Sequence, residues 1–104
     1  MFVAIVQIPM SRRPRDAAVE AATKSAPTYT ALGAKGLLKK YYLNGEAGGG
    51  GVYLWASEAA ARAWYTPEWE ARMEAAFGAR PIVTYYENHV VVDNETGQVR
   101  IENA

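Results

Sequence analysis

The sequence predicts an α+β fold in which helices cover one face of a four-stranded antiparallel sheet. Runs rich in Val, Ile, Leu and Tyr alternate with stretches rich in Ala, Glu and Lys, which is typical of strands and helices in turn. Asn44-Gly45 and a run of four glycines separate the two central apolar runs, which indicates an antiparallel hairpin. At 104 residues, the chain has the length of a single domain, residues 1–104.

The first strand and the first helix are predicted from the opening third of the chain. Residues 2–8 are almost all apolar and stop at Pro9, which has no amide proton to donate, so a strand buried on both faces is expected. From Pro14 to about Ala26 the composition favours a helix. Pro27 is expected to end or kink that helix, although Tyr29 to Leu32 could continue as a further turn, and Gly33 to close the element.

The middle of the chain predicts two paired strands. Residues 36–43 form the first, in which Lys39 and Lys40 point to opposite sides, so at least one of them must snorkel or face the mouth of a pocket. Gly48 to Gly51 is predicted to be a turn that could gate a pocket. It is not a phosphate loop, because no Lys-Ser/Thr follows and a strand, Val52 to Ala56, comes next.

Two helices are expected after this hairpin. Ser57 can cap a helix from Glu58 to about Tyr65, because its hydroxyl can accept a hydrogen bond from a free amide of the first turn. Thr66 is expected to cap a second helix in the same way, with Pro67 in its first turn, and Gly78 is expected to end it.

One last strand is predicted from Pro81 to Glu87 and on through Val90 to Val92, with a bulge or bend at Asn88 and His89. The remaining residues, 93–104, form a polar C-terminal extension that contains a turn and a short extended segment at 98–101.

The order strand, helix, strand, strand, helix pair, strand is the split βαβ pattern of ferredoxin-like domains. In a monomer, the face of the sheet without helices should be polar. Here both faces carry apolar side chains, with Val52 and Leu54 on one and Tyr53 and Trp55 on the other. We therefore expect two copies to pack these faces together as a two-fold homodimer.

Composition excludes several classes of function. Eleven basic and eleven acidic residues cancel, so neither nucleic acid nor an anionic membrane is an expected partner. The absence of cysteine excludes disulfides, a thiolate nucleophile and a cysteine-ligated metal. The single histidine, His89, has no accompanying ligand cluster, so no metal site is expected. The apolar start at residues 1–8 is too short for a membrane span and lacks a basic leader, which favours a cytoplasmic location.

The segments Gly49 to Trp55, Ser57 to Ala60 and Ala63 to Arg72 resemble the YdhR-like family of monooxygenases, as do Arg80 to Tyr86 and Val90 to Asn94. The resemblance covers the chain except its last ten residues. It implies a dimeric α/β barrel that oxygenates small aromatic or polyketide-like substrates without metal, flavin or haem. In that chemistry the deprotonated substrate reduces dioxygen, and the protein binds, orients and stabilises negative charge.

Candidate site residues follow from side-chain chemistry. His89 is the candidate general base, because an ordinary histidine titrates near neutrality. Tyr53 and Trp64 are the other catalytic candidates. Aromatic and cationic side chains that could line an apolar pocket and donate hydrogen bonds to a phenolate are the substrate-binding candidates: Tyr41, Trp55, Tyr65, Trp69, Arg72 and Tyr85.

For several of these residues a structural role is an open alternative. Trp69, Met73 and Phe77 recur every four residues, as the buried face of any amphipathic helix does. Arg72 could form a surface pair with Glu68.

Three functions remain open at this point. The first is a cofactor-independent monooxygenase acting on a small aromatic ligand in a pocket between helices and sheet. The second is a non-enzymatic dimer that binds a small molecule, and the third is an isomerase or cyclase on the same scaffold. All three rest on an aromatic content of 12%, which exceeds what so small a core requires.

Overall fold

The computed structural model describes residues 1–102. In chain order the elements are β1 (Phe2–Ile8), α1 (Arg15–Ala31), a 3-10 turn (Leu32–Lys35), β2 (Leu37–Gly45), β3 (Gly48–Trp55), α2 (Glu58–Trp64), α3 (Pro67–Phe77), β4 (Ile82–Glu87), β5 (Val90–Asp93) and β6 (Gln98–Ile101). Strands β1 to β4 form one antiparallel sheet in the order β2-β3-β1-β4. The predicted α+β class and four-stranded sheet are confirmed, and the connectivity is compatible with a ferredoxin-like fold.

The core lies between the helices and one face of the sheet. Alternate residues of β1, from Phe2 to Ile8, are buried on that face, while Val3 and Ile5 on the other face are only half-buried. The prediction that both faces of this strand are buried is therefore wrong for a single chain. The second face has no helix over it, so its apolar side chains keep part of their contact with water.

Aromatic side chains hold α2 and α3 onto the sheet. Trp55 and Trp69 are completely buried. The Tyr65 ring packs edge-on against Tyr53 and Trp69, with centroids 5.5 and 5.0 Å away. Its hydroxyl accepts a hydrogen bond from Trp55 Nε1 at 3.1 Å. Tyr65 thus satisfies a buried donor and links the junction of the two helices to β3.

The predicted caps of these helices are confirmed. Ser57 Oγ accepts from the Ala60 amide, and Thr66 Oγ1 accepts from the Trp69 amide, each at 3.1 Å. Gly78 ends α3 in the left-handed conformation, with φ of 73°.

The first helix differs from the prediction, because α1 continues through Pro27 to Ala31. A proline removes one helical hydrogen bond, and tertiary packing of the last turn offsets that loss. Tyr29, two residues later, packs edge-on against the ring of Tyr53 at a centroid distance of 5.7 Å.

The run of four glycines, Gly48 to Gly51, is not a turn. It is the first half of β3, and the turn falls at residues 46–47. Gly50 has φ of 131°, and a Cβ there would overlap the main-chain carbonyl of Val6 in the neighbouring strand. Glycine is needed because the two main chains approach too closely for any side chain.

The prediction of one interrupted final strand is also wrong, because β4 and β5 belong to different sheets. The Asn88 amide donates a hydrogen bond to the carbonyl of Met1, one residue before β1 begins. Instead β5 pairs with β6 in a two-stranded ribbon, around a turn in which Asp93 Oδ1 accepts from the amides of Glu95 and Thr96. The short extended segment predicted at 98–101 is therefore confirmed. Within residues 1–102, no helix is long and apolar enough to cross a membrane.

Candidate functional site

A partly open cavity of about 140 Å³ lies between α1, α3 and the helix-covered face of the sheet. Small residues leave this space: α1 presents Ala21, Ala22 and Ser25 to it, and β3 presents Gly50. No residue of α1 is fully buried, so this helix stands off the sheet where the cavity lies. The far wall is apolar and comes from β1 and α3.

Lys40 of β2 enters this cavity because of an irregularity in the strand. The register between β2 and β3 shifts by one residue between Leu37 and Lys39. After this bulge Lys40 lies opposite Tyr53, on the helix side, whereas Lys39 lies opposite Leu54 on the other face. Lys40 is half-buried and Lys39 is exposed.

Three tyrosine rings surround the Lys40 ammonium. Its Nζ lies 3.3 Å from the ring centroid of Tyr29, 3.9 Å from that of Tyr42 and 4.8 Å from that of Tyr53. Ring faces attract a cation. Over residues 1–102, no carboxylate lies within ion-pair distance of Lys40.

Burial lowers the pKa of Lys40 to about 7, because the ammonium form loses hydration. The ring faces favour the ammonium and oppose this effect. The same burial raises the pKa of Tyr29 and of Tyr53, so both hydroxyls stay protonated at neutral pH and remain hydrogen-bond donors. Lys40 is therefore able to change its charge near neutral pH, while Tyr29 and Tyr53 are not.

Two further residues with donor groups line the cavity, Arg13 and Trp69. Their buried Nε and Nε1 atoms have no acceptor among residues 1–102. Asn44 holds the Arg13 backbone in place through two hydrogen bonds of 3.0 and 2.9 Å. Ser25 Oγ and the Tyr42 hydroxyl, 2.7 Å apart, close the wall between α1 and β2.

No acidic side chain within the described part of the chain lines this cavity, so its only charges are cationic. Buried donors without partners cost free energy, roughly 1–3 kcal/mol each, until an acceptor reaches them. The cavity therefore favours an apolar ligand that carries an anionic or strongly accepting oxygen.

The predicted site residues divide into three groups. Tyr53 and Trp69 line the cavity. The next group packs behind it: Trp55 and Tyr65 in the core, and Trp64 against the ring of Tyr29 at 6.0 Å. Arg72 is exposed on α3, and its charge acts to lower the pKa of Tyr29. The last group lies elsewhere, with Tyr85 stacked under Arg62, Tyr41 half-exposed on the other face of the sheet, and His89 in the turn after β4.

His89 does not line the cavity. Its Nε2 lies 3.0 Å from Glu87 Oε2, and both side chains are largely exposed. A separate pocket of about 160 Å³ beside it is formed with Met1, Phe2 and Ser57. The ring is therefore placed to pair with Glu87 at the surface, and it is not brought near Lys40 or the unpaired donors.

Sequence reasoning missed Lys40, Arg13, Tyr29 and Tyr42 as site residues. The one available signal was the pair of lysines in an otherwise apolar strand, one of which had to face a pocket mouth. Nothing local to Arg13 or Tyr29 marks them, because the fold alone brings them to the same cavity.

Among residues 1–102, no three His, Cys, Asp or Glu side chains cluster as metal ligands would. No protein-family model matches the sequence, and no curated protein matches it. The resemblance to the YdhR-like monooxygenases therefore stays a prediction.

Proposed function

We propose that this protein is a cofactor-independent monooxygenase whose substrate is a small phenolic compound bound between the helices and the sheet. The observation that carries the proposal is a cavity lined by hydroxyl, indole and cationic side chains and by no carboxylate of the described residues, arranged around a lysine that can change charge near neutral pH. The resemblance to the YdhR-like family supports the class of reaction.

The donor-rich wall suits the first step of such a reaction. Loss of the phenol proton gives a phenolate with carbanion character on its ring, and Lys40, Arg13 and Trp69 can stabilise its oxygen. The phenolate passes an electron to dioxygen, and recombination forms a carbon–oxygen bond. Loss of water from the resulting hydroperoxide gives a quinone, so phenol and O₂ become quinone and H₂O. The substrate supplies all the electrons.

Oxygen uptake by metal-stripped protein is the direct test. We expect purified protein to consume dioxygen in the presence of single-ring or three-ring phenols, with one labelled atom from ¹⁸O₂ in the quinone. A Trp69→Phe variant, which removes the Nε1 donor together with the five-membered ring of the indole, should lower the rate, and circular dichroism checks that it is still folded. Binding of phenols with no oxygen uptake would refute the oxygenase and favour the non-enzymatic binding protein.

We also propose that the active form is a homodimer in which the uncovered sheet faces meet and close a barrel. That face carries Ile5, Val52 and Leu54 in adjacent strands. The β5–β6 ribbon, which has no place in the main sheet, pairs Val92 with Val99, and these side chains are 66% and 68% exposed. A two-stranded ribbon alone is marginally stable in water, which favours its packing on a second copy.

Sedimentation or light scattering across a range of concentrations tests the dimer. We expect the wild-type chain to be dimeric at micromolar concentration and Val92→Asp to shift it towards monomer. Glu95→Ala, in the exposed turn of the same ribbon, is the matched control and should leave the dimer intact. A wild-type chain that stays monomeric at every concentration would contradict the proposal.

A further inference from the structure

The size of the cavity limits the ligand that it can enclose. An apolar cavity of roughly 150 Å³ in a protein core holds one benzene molecule. The cavity beside Lys40 has about 140 Å³. It therefore matches a single aromatic ring with a small substituent, and a three-ring compound would have to extend through the open side.

The polar groups around Lys40 select for an acidic oxygen on that ring. Tyr29 faces it from α1, Tyr42 from β2 and Tyr53 from β3. Two cationic side chains act on the same site: Arg13 lines the cavity, and the charge of Arg72 on α3 acts on Tyr29. Since no carboxylate of the described residues lines the cavity, none of them competes with a ligand for the Lys40 ammonium.

We propose that the cavity binds a single-ring acidic phenol as its phenolate, with the Lys40 ammonium as the counter-charge. This rests on the proposed function, because it names the substrate class and the residue that ionises it. When the amine is neutral, the phenol O–H bond breaks and an N–H bond forms on Nζ, with no change in net charge.

Two features of the site favour the ionised pair. The ammonium gains the three ring faces, which an uncharged amine does not use to the same extent. The phenolate brings a negative charge to a lining whose only charged side chains, among the described residues, are the cations Arg13 and Lys40. The lowered pKa of Lys40 makes the neutral amine available near neutral pH, so direct proton transfer is open there.

The ionisation of a bound chromophore tests the inference without any turnover. 4-Nitrophenol is the probe, because its phenolate absorbs at longer wavelength than the phenol. We expect the wild-type protein to increase the acid ionisation constant of the bound probe at least tenfold. Lys40→Met should bind the probe in its neutral form, Lys40→Arg should keep most of the effect, and Lys39→Met and His89→Ala should behave as the wild type.

Several outcomes would overturn the inference. They are a neutral spectrum for the probe bound to the wild type, an unchanged phenolate spectrum in Lys40→Met, and no binding of the probe at all. Tighter binding of the three-ring compound anthrone than of 4-nitrophenol would overturn the assignment to a single ring. Circular dichroism confirms that each variant is folded.

The inference and the proposed function can fail separately. An ionised probe with no oxygen uptake from any phenol leaves Lys40 as a phenolate-binding residue and refutes the oxygenase. Oxygen uptake that persists in Lys40→Met, with a bound probe that is never ionised, refutes the role of Lys40 and keeps the oxygenase.

Discussion

Replacing Lys40 by methionine should change how the stability of the protein depends on pH. Methionine keeps a similar length and apolar stem but cannot carry a charge. Below pH 7, Lys40 is charged in both the folded and the unfolded chain, so the fold bears the full cost of burying the ammonium. As pH rises from about 7 towards 10.5, the folded chain loses this proton while the unfolded chain keeps it. The unfolded state then binds more protons, so the free energy of unfolding rises with pH.

The size of the effect follows from the two pKa values. A fall from 10.5 to about 7 corresponds to roughly 5 kcal/mol at ~1.4 kcal/mol for each tenfold change. Residual solvent contact and the attraction of the tyrosine rings for the ammonium reduce this figure. We expect the wild type to gain about 2 kcal/mol between pH 6 and pH 9.5 from this residue, and Lys40→Met to lack that gain.

Urea unfolding followed by tryptophan fluorescence at several pH values between 6 and 9.5 measures the effect. Lys39→Met is the matched control, because Lys39 is the exposed neighbour on the opposite face of β2, and its profile should parallel the wild type. Tyr29 and Tyr53 do not interfere, because burial raises the pKa of each and moves its titration above this range. Parallel profiles for wild type and Lys40→Met would refute the reasoning.

Two further substitutions probe the core. Gly50→Ala should destabilise the protein by more than about 3 kcal/mol, because its Cβ would overlap the carbonyl of Val6 at a φ that disfavours side chains. Gly45→Ala, with open space around its Cα, is the control and should change the unfolding free energy by less than ~0.5 kcal/mol in chemical denaturation. Tyr65→Phe should cost about 1–2 kcal/mol, because Trp55 Nε1 loses its acceptor; an unchanged thermal midpoint would contradict this.

The sequence predicted the fold wherever local chemistry decides the structure. The hydroxyls of Ser57 and Thr66 accept hydrogen bonds from amides three residues later, and these caps mark the starts of α2 and α3. The first strand likewise follows from its own run of apolar residues. The prediction failed at Pro27 and at the four glycines. In both places a contact made by a distant segment outweighs the local preference, the ring of Tyr53 in one case and the main chain of Val6 in the other.

For the candidate site, too, part was predicted from the sequence and part was decided only by the tertiary structure. Composition and the alternation of strand residues by themselves determined that the chain is rich in aromatic side chains and that at least one of two adjacent lysines must snorkel or face the mouth of a pocket. Only the tertiary structure decided that Lys40, and not Lys39, enters the cavity. A bulge shifts the register of β2 by one residue, and such a shift turns every later side chain to the other face of the sheet. The charge properties of Lys40 could not be predicted from the sequence either, since they arise from burial beside Tyr29 of α1 and Tyr53 of β3, which lie far from it in the chain.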